Sequence, residues 1–173
     1  MKTSNLYVND LPALLKIGCC DPVNQNMTQL NILMYADDMV LLSNSAEGLQ
    51  KSLFLLESYC HKWQLVVNTK KTKVLIFNKK SENRFTYKSE ELQNVNEFKY
   101  LGIVFHKSGT FTKAIKDLAC RASRAMFKLQ SILKNLRTNP RLSIKLFDSV
   151  VKPIALYCSE VWGGFGIKEK KIE

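Results

Sequence analysis

The sequence predicts an α+β fold, with an antiparallel sheet and packed helices up to residue 109 and helices alone beyond it. Two observations support this prediction. In the first part, short apolar runs of strand length alternate with an amphipathic helical stretch, whereas a helical period takes over near residue 110. Because the periodicity changes there, we predict two domains, 1–109 and 110–173.

The first predicted element is the end of a helix within residues 1–18, where Leu6, Asp10 and Leu14 recur at every fourth position. No capping residue opens this stretch, so we expect the chain to begin partway through a helix. The polar residues 20–26 that follow predict a loop.

Two apolar runs, 30–35 and 39–42, lie on either side of the adjacent carboxylates Asp37 and Asp38. Apolar runs of this length joined by turn-forming residues predict a β-hairpin. Since both runs are apolar almost throughout, we expect the strands to be buried and the carboxylates to lie at the tip.

A helix is predicted after the hairpin because Asn44 is followed three positions later by Glu47, a pattern that resembles a capping box. Its apolar residues recur at steps of four and three, as on a helix face that packs against a sheet. They are Leu49, Leu53, Leu56, Cys60 and Trp63.

Residues 65–67 and 73–77 are rich in β-branched and aliphatic side chains and predict strands on either side of a polar segment. Residues 78–92 predict a polar connection. The apolar residues 98–105 predict a further strand or a hairpin. The two alternatives for the turn of that hairpin are Gly102 and Ser108-Gly109.

A long basic helix is predicted over residues 112–137, because apolar side chains recur there at helical spacing while Lys and Arg fall elsewhere around the axis. The apolar positions are Ile115, Ala119, Ala122, Met126, Leu129, Leu133 and Leu136. Asn139-Pro140 ends this helix, and a second helix over 141–151 precedes Pro153.

The net charge of +11 is unevenly distributed along the chain. Residues 1–60 carry a net charge of −3, and residues 61–173 carry +14. Two stretches concentrate the excess, 61–80 with six lysines and no acid, and 107–145 with ten basic residues and one acid. A solvated helix face explains one such stretch, but two favour a polyanionic partner, for which nucleic acid is the natural candidate.

Several classes of protein are disfavoured by composition. The longest apolar stretches, such as residues 32–36 and 154–158, are five residues, far short of the roughly 20 that a membrane-spanning helix needs, so no membrane partner is predicted. The five cysteines are odd in number and lack the spacing of a metal site. The N-terminus is a poor secretory signal, so we expect an intracellular protein, nuclear or cytoplasmic, that is not secreted.

Two interpretations of Asp37 and Asp38 remain open from the residues alone. Aspartate is a favoured turn residue, so the pair can be a solvated hairpin tip. Alternatively, two adjacent carboxylates repel each other unless a cation joins them, and Mg²⁺ prefers carboxylate oxygens completed by water and substrate phosphates. A carboxylate tip beside a basic region indicates phosphoryl transfer.

The residues Tyr35-Ala36-Asp37-Asp38 resemble the Y-A-D-D box of reverse transcriptases, and other segments follow in that family's order. Residues 68–72 resemble its N-x-x-K-T element, and residues 98–102 its F-x-Y-L-G primer-grip hairpin. Residues 6–12 are similar to the end of the preceding helix, and residues 156–163 to a stretch in and beyond the thumb of non-LTR (LINE-type) retrotransposon enzymes.

The resemblance implies a fold, a reaction and partners. Residues 1–109 correspond to the C-terminal half of a polymerase palm, and residues 110–173 to a helical thumb and the start of the following connection. The reaction is the extension of a primer 3′-hydroxyl with dNTPs by two-metal phosphoryl transfer. The implied partners are an RNA template, a DNA primer or RNA/DNA hybrid, and dNTP.

The resemblance also assigns roles to single residues. Asp37 corresponds to a ligand of the two Mg²⁺ ions, Asp38 to a weaker carboxylate contact, and Lys71 to a group near the triphosphate. Tyr35 corresponds to a residue near the primer end, although core packing explains it equally well. The implied primer-guiding residues are Phe98, Tyr100, Leu101 and Gly102, and the implied phosphate contacts of the thumb are Lys113, Lys116, Arg121, Arg124 and Lys128.

The acidic residues of the chain do not match the full set of carboxylates that the family's active site uses. A working site needs a third carboxylate from an earlier strand and fingers that hold template and nucleotide, but the acids before Tyr35 are only Asp10 and Asp21, neither in a strand-like context. We therefore expect a fragment of the polymerase that is inactive alone, binds Mg²⁺ at most weakly, and has the fingers and first palm segment of the parent protein as a missing partner.

Two rivals remain. A non-catalytic, basic nucleic-acid-binding remnant or scaffold retains the hairpin only as part of its fold. An RNA-dependent RNA polymerase shares the two-aspartate hairpin but does not explain the N-x-x-K-T, F-x-Y-L-G and E-V-W-G segments, so it ranks lower.

Overall fold

The computed structural model of the chain describes residues 8–18, 21–25, 27–77, 83–136 and 139–163. The predicted helix before residue 8, Cys19 and Cys20 lie outside these ranges, as does Arg137 at the end of the predicted basic helix. The chain divides into two units, one of residues 1–74 and 81–94 and the other of residues 75–80 and 95–173. The expected α+β architecture is confirmed. The described residues form three two-stranded sheets, one three-stranded sheet and several helices.

The first unit begins with a short helix and two hairpins. The elements in chain order are helix α1 (Leu11–Ile17) and strands β1 (Val23–Gln25), β2 (Thr28–Leu30), β3 (Ile32–Tyr35) and β4 (Asp38–Leu41). Strands β1 and β2 pair antiparallel, as do β3 and β4. In α1, Pro12 occupies the first turn, where its missing N–H costs no hydrogen bond, and Leu11 and Leu15 are fully buried.

Helix α2 (Ala46–Lys62) begins two residues later than the predicted cap. Ser45 is the cap, because its hydroxyl accepts a hydrogen bond from Gly48 N at 3.1 Å. Asn44 instead donates from its side-chain amide to Pro22 O at 2.7 Å, which ties the helix entry to the loop before β1. The predicted apolar face is present in α2, where Leu53, Leu56 and Cys60 are buried.

The next strands differ most from the prediction. Residues 65–67 form no strand, and Val66 is 90% exposed. Strand β5 (Lys73–Leu75) lies in a three-stranded sheet of order β5-β7-β6, with β6 (Phe85–Tyr87) and β7 (Glu90–Val95). The hairpin β6–β7 falls where a polar connection was predicted.

The second unit contains a hairpin and a long helix. Strands β8 (Glu97–Tyr100) and β9 (Ile103–His106) pair antiparallel and turn at Leu101-Gly102, which is the first of the two predicted alternatives. Helix α3 (Thr112–Leu136) has 25 residues and confirms the predicted helix. Its buried positions in the first half are Ala114, Leu118 and Ala122, and Ile115 is 39% exposed, so the apolar face starts one position earlier than predicted.

The helical stretch after α3 continues past Pro153 rather than ending before it. It consists of α4 (Pro140–Leu146), a π-helical turn over Phe147–Val151, α5 (Lys152–Ala155) and, after a turn, α6 (Ser159–Trp162). A proline cannot supply the N–H that an α-helix needs, and the wider turn just before Pro153 accommodates this interruption. No helix in the described ranges combines the length and the apolar character needed to cross a membrane.

Two apolar clusters hold the second unit together. One joins β9 to the first half of α3 and contains Ile103, Phe111, Ala114 and Leu118, with Cys158 and Trp162 packed against it. The other joins the second half of α3 to the π-helical turn and contains Ala122, Leu129 and Val151.

Candidate functional site

The two adjacent carboxylates lie at the turn of the β3–β4 hairpin. Tyr35 pairs with Asp38, which leaves Ala36 and Asp37 as the two loop residues. Ala36 has φ 52°, in the left-handed region that the tight turns of two-residue hairpins require and that residues other than glycine, asparagine and aspartate rarely adopt. We call Ala36, Asp37 and Asp38 the carboxylate tip, and all three residues are exposed.

The hairpin was predicted to be buried, and this part of the prediction is wrong. Leu33, Met34 and Met39 are exposed, and Tyr35 is 64% exposed. A two-stranded hairpin has two faces, and within the first unit the strand residues near the tip have too few neighbours to cover them. The carboxylate tip is therefore surrounded by accessible apolar side chains.

The base of the same hairpin is held by backbone and side-chain hydrogen bonds. Leu42 N donates to the buried Asn31 at its carbonyl oxygen (2.8 Å), which closes the hairpin below its last ladder pair. The following residues are held by Asp21, whose carbonyl oxygen accepts from Asn44 N (3.1 Å) and from the Ser43 hydroxyl (3.2 Å). The base of the hairpin is thus fixed while its tip projects into solvent.

An open depression of about 220 Å³ lies beside Asp38. It is lined by residues of the hairpin and of the segment before α1, namely Val8, Asn9, Met34, Ala36, Asp38 and Met39. Asn9 was not among the site residues predicted from the sequence. Asn9 does lie within residues 6–12, which resemble the helix end that precedes the hairpin in reverse transcriptases, and this resemblance could have indicated it.

The donor set at the tip consists of carboxylates only. Among the described residues, no group of three or more His, Cys, Asp or Glu is placed to hold a metal. Mg²⁺ is nevertheless commonly held by one or two carboxylates together with waters and substrate phosphates. Asp37 and Asp38 fit a hard divalent ion of this kind when a phosphate ligand completes its coordination, and they do not amount to an all-protein cage.

The N-x-x-K-T element is a hydrogen-bonded turn. Asn68 accepts from Lys71 N with its side-chain oxygen (3.2 Å), and its carbonyl oxygen accepts from the Thr72 hydroxyl (2.9 Å). Asparagine and threonine therefore have a local structural role, since their side chains replace backbone ladder bonds in a turn. Lys71 is exposed, and its backbone N–H is part of this turn.

Asp10, one of the acids weighed above, also has a structural role. The Tyr59 hydroxyl donates to an Asp10 carboxylate oxygen, which links the N-terminal side of α1 to α2. Burial, followed by this hydrogen bond to Asp10, raises the pKa of Tyr59 well above its ordinary value. The phenol therefore stays protonated and acts as the donor.

In the second unit, the 101–102 turn connects β8 to β9. Leu101 has φ 46° and Gly102 has φ 85°, the pair of positive values typical of a type I′ turn. A Cβ atom at Gly102 would lie 3.3 Å from Tyr157 Cε1, so glycine suits this position for conformation and for space. Phe98 is 36% exposed and Tyr100 is half-buried.

The basic residues of α3 fall into two groups. Lys113 Nζ lies 2.5 Å from Glu97 Oε2, and this ion pair lowers the pKa of the Glu97 carboxyl. Arg121 Nη2 lies 3.1 Å from Asp117 Oδ2 and donates to Gly102 O at 2.8 Å. The other three that the sequence predicted as phosphate contacts, Lys116, Arg124 and Lys128, are exposed and make no ion pair with any described residue.

The predicted site residues therefore belong to two separate sets. The carboxylate tip, Tyr35 and Lys71 are in the first unit. The second unit contains the 101–102 turn with Phe98 and Tyr100, and the basic residues of α3. Within the second unit, the turn and α3 are joined directly by Arg121.

Residues 3–105 match the family described as reverse transcriptase (RNA-dependent DNA polymerase). A probable RNA-directed DNA polymerase from transposon BS of Drosophila melanogaster is 31% identical over 170 residues, which are 92% of this chain and 18% of that protein. A transposon-derived protein of Caenorhabditis elegans is 31% identical over 141 residues, 79% of this chain and 50% of its own length.

The RNA-directed DNA polymerase from mobile element jockey of Drosophila funebris is 26% identical over 168 residues, which are 88% of this chain and 18% of that protein. The chain thus spans between 18% and 50% of the length of these three relatives. No solved structure matches the chain significantly.

Proposed function

Since the chain belongs to the reverse transcriptase family and to its non-LTR (LINE-type) branch, we propose that it contributes two functions to an RNA-directed DNA polymerase. The first is to bind Mg²⁺ at the carboxylate tip, and the second is to hold the primer and template through the 101–102 turn and α3. The observation that carries the proposal is the exposed Asp37-Asp38 pair beside an open depression, within the matched residues 3–105.

Asp37 and Asp38 are the residues that would hold Mg²⁺. When bound, Mg²⁺ neutralises phosphate charge and activates the attacking primer hydroxyl in phosphoryl transfer. The chain's own contribution is the rigid base of the β3–β4 hairpin, which keeps the two carboxylates at one accessible point. Lys71 supplies positive charge to the triphosphate from a turn that Asn68 and Thr72 hold by hydrogen bonds.

The primer–template duplex is proposed to lie along the second unit. Lys116, Arg124 and Lys128 offer positive charges that no acid in the described part of the chain pairs with, and contacts from such charges to phosphates carry no sequence information. Phe98 and Tyr100 flank the 101–102 turn with aromatic surface for the primer strand. Lys113 and Arg121 contribute less to phosphate binding because each already has an acidic partner.

A second candidate function is favoured by one observation. Only two carboxylates stand at the tip, and among the described residues no third acid joins them. A non-catalytic nucleic-acid-binding remnant would retain the hairpin, the turn and α3 while making no use of the metal.

Metal-dependent nucleotide binding distinguishes the two candidates. The full chain is incubated with an RNA template annealed to a DNA primer, and dNTP binding is measured by calorimetry with Mg²⁺ and then with EDTA. We expect binding that depends on Mg²⁺ and that Asp37→Asn weakens by about tenfold or more, equivalent to about 1.4 kcal/mol, because the substitution removes one of the two carboxylates that would hold the metal. The matched control is Asp21→Asn, an exposed aspartate in the loop before β1, which we expect to bind like the parent chain.

The remnant hypothesis predicts the opposite outcome. In that case Mg²⁺ has no effect on the parent chain, and Asp37→Asn raises the midpoint of thermal unfolding because it removes repulsion between adjacent carboxylates. That combination would contradict a catalytic role for the carboxylate tip.

A further inference from the structure

Two distant segments of the second unit meet at the 101–102 turn. The Tyr157 hydroxyl donates to Leu101 O at 2.8 Å across 56 positions of sequence. A Cβ atom at Gly102 would lie 3.3 Å from Cε1 of the Tyr157 ring, which is tighter than most side-chain contacts, so the ring packs closely against this glycine. Tyr157 belongs to residues 156–163, a segment to which the proposed function assigns no task.

A second side chain contacts the same turn from α3. Arg121 Nη2 donates to Gly102 O at 2.8 Å and is held by Asp117 Oδ2 at 3.1 Å. Asp117 Oδ2 also lies 3.2 Å from Lys99 Nζ, on the strand that leads into the turn. The carbonyl groups of both turn residues are therefore occupied, one by a phenol and the other by a guanidinium.

The position of Tyr157 is itself fixed by the chain around it. Cys158 has φ 54°, a left-handed conformation that reverses the backbone immediately after Tyr157. Trp162 Nε1 donates to Tyr157 O at 2.8 Å. Cys158 and Trp162 both pack against the apolar cluster of β9 and α3. The tyrosine is thus anchored on the cluster that carries the turn.

We propose that Arg121 and Tyr157 are positioning residues that hold the 101–102 turn in the orientation in which it contacts the primer terminus. This inference rests on the proposed function of the turn. Rotation of the Leu101–Gly102 or the Gly102–Ile103 peptide plane breaks at least one of the two side-chain hydrogen bonds. The turn therefore keeps one conformation despite a leucine with positive φ, which is unfavourable in isolation.

Affinity for any duplex and preference for a recessed primer end have different origins in this unit. Charge on α3 attracts any duplex, whereas an ordered turn favours a duplex that ends in a recessed primer 3′ terminus. The test therefore compares the dissociation constants of the full chain for two RNA/DNA hybrids of equal charge, one with a recessed primer 3′ end and one blunt, by fluorescence anisotropy at fixed salt.

Tyr157→Phe removes the hydroxyl and retains the ring over Gly102. We expect it to reduce the preference for the recessed end by a factor of about three to ten, the range that corresponds to one lost hydrogen bond, without changing affinity for the blunt hybrid. Arg121→Lys, which retains the charge but loses the fork geometry, should act in the same direction. Amide hydrogen exchange of residues 101–103 should accelerate in both variants.

The matched control is Tyr87→Phe, which removes a buried tyrosine hydroxyl in the first unit, next to the Cys60 thiol and remote in sequence from the 101–102 turn. It should retain the preference of the parent chain, and thermal unfolding verifies that all variants are folded. Unchanged end preference and unchanged exchange in Tyr157→Phe and Arg121→Lys would overturn the inference.

Failure of the proposed function gives a different pattern. A parent chain that shows no preference for the recessed end contradicts the primer contact of the turn, even where exchange at residues 101–103 responds to the substitutions. Equal losses for both hybrids in Arg121→Lys would make Arg121 a phosphate contact and also overturn the positioning role.

Discussion

A basic side chain that already has a carboxylate partner is a weaker phosphate ligand than one that has none, because the partner must be given up or shared. Lys113 is such a residue, at 2.5 Å from Glu97. Counting charge along α3 places Lys113 in the same class as Lys116, but the two differ in what surrounds them. Sequence alone could not separate them, since Glu97 lies 16 positions away on another element.

The Glu97–Lys113 ion pair should make the stability of the fold depend on pH. The hydrogen bond and the charge of Lys113 lower the folded-state pKa of Glu97 from its ordinary value of 4.5. A lowered pKa means that the pair stabilises the fold above pH 4.5 and that this contribution is lost as the pH falls through the folded-state pKa. Lys113→Met should raise the Glu97 titration midpoint towards 4.5 in an NMR titration of the side-chain carboxyl.

The control for that titration is Arg84→Met. Arg84 forms a looser pair with Glu91 at 3.7 Å in the first unit, and its removal should leave the Glu97 midpoint unchanged. A Glu97 midpoint that does not move in Lys113→Met would contradict the ion pair in solution.

At the scale of elements, the start of α2 depends on a single hydroxyl. Ser45 accepts from Gly48 N, and loss of such a cap costs about 1 kcal/mol of unfolding free energy. Ser45→Ala should therefore lower stability by about that amount in urea denaturation, and Ser45→Asp should restore most of it. Ser58→Ala is the control, because its exposed hydroxyl donates to Phe54 O within the same helix and caps no helix end, so its removal should be nearly neutral.

Helix α3 yields a prediction on salt. Each phosphate contact releases counterions, so replacing Lys116, Arg124 or Lys128 by Gln should reduce the slope of log Kd against log salt by about 0.7 to 0.9. Lys113→Gln should change the slope less, because Lys113 is paired with Glu97. Affinity for an RNA/DNA hybrid measured across a salt series checks this, and equal changes at all four positions would argue against the division into two groups.

The elements that the sequence predicted well are those with a long, consistent period. The 25 residues of α3 carry a helical pattern over several turns, so its start at Thr112 was predicted correctly, and the helix extends to Leu136, the last residue described before the predicted limit at 137. Hairpin β6–β7 was missed because β7 is polar except for Leu92 and Val95, and because its turn uses Lys88 and Ser89 in place of the usual Asn-Gly. Residues 65–67 looked like a strand, but apolar composition over three positions does not specify a pairing partner.

At the scale of the whole molecule, the described residues place two carboxylates at the tip. Primer extension by two-metal phosphoryl transfer needs more metal ligands than these two carboxylates supply. We therefore expect the chain alone to give no templated primer extension with Mg²⁺ and dNTPs, while it binds the primer–template. A primer-extension assay on the 173-residue chain checks this. Sustained synthesis that Asp37→Asn abolishes would show that a further ligand is present in the chain.

The candidate site was predictable in part for a physical reason. Residue types in a short ordered motif identify chemistry, so Asp37 and Asp38 could be selected from four letters and their neighbours. Contacts between distant segments could not, because nothing in the local pattern links Tyr157 to Leu101 or Asn9 to the neighbourhood of Asp38. The domain limits 1–109 and 110–173 and the roles of the site residues stay predictions.

The turn between β6 and β7 has a practical consequence for anyone who produces this protein. Lys88 and Ser89 both have positive φ, at 50° and 63°, and neither residue type is well suited to that conformation. Asparagine followed by glycine adopts it readily. Replacing these two exposed residues by asparagine and glycine is the first choice for engineering a more stable variant. The replacement alters neither the charge of α3 nor the acidic pair.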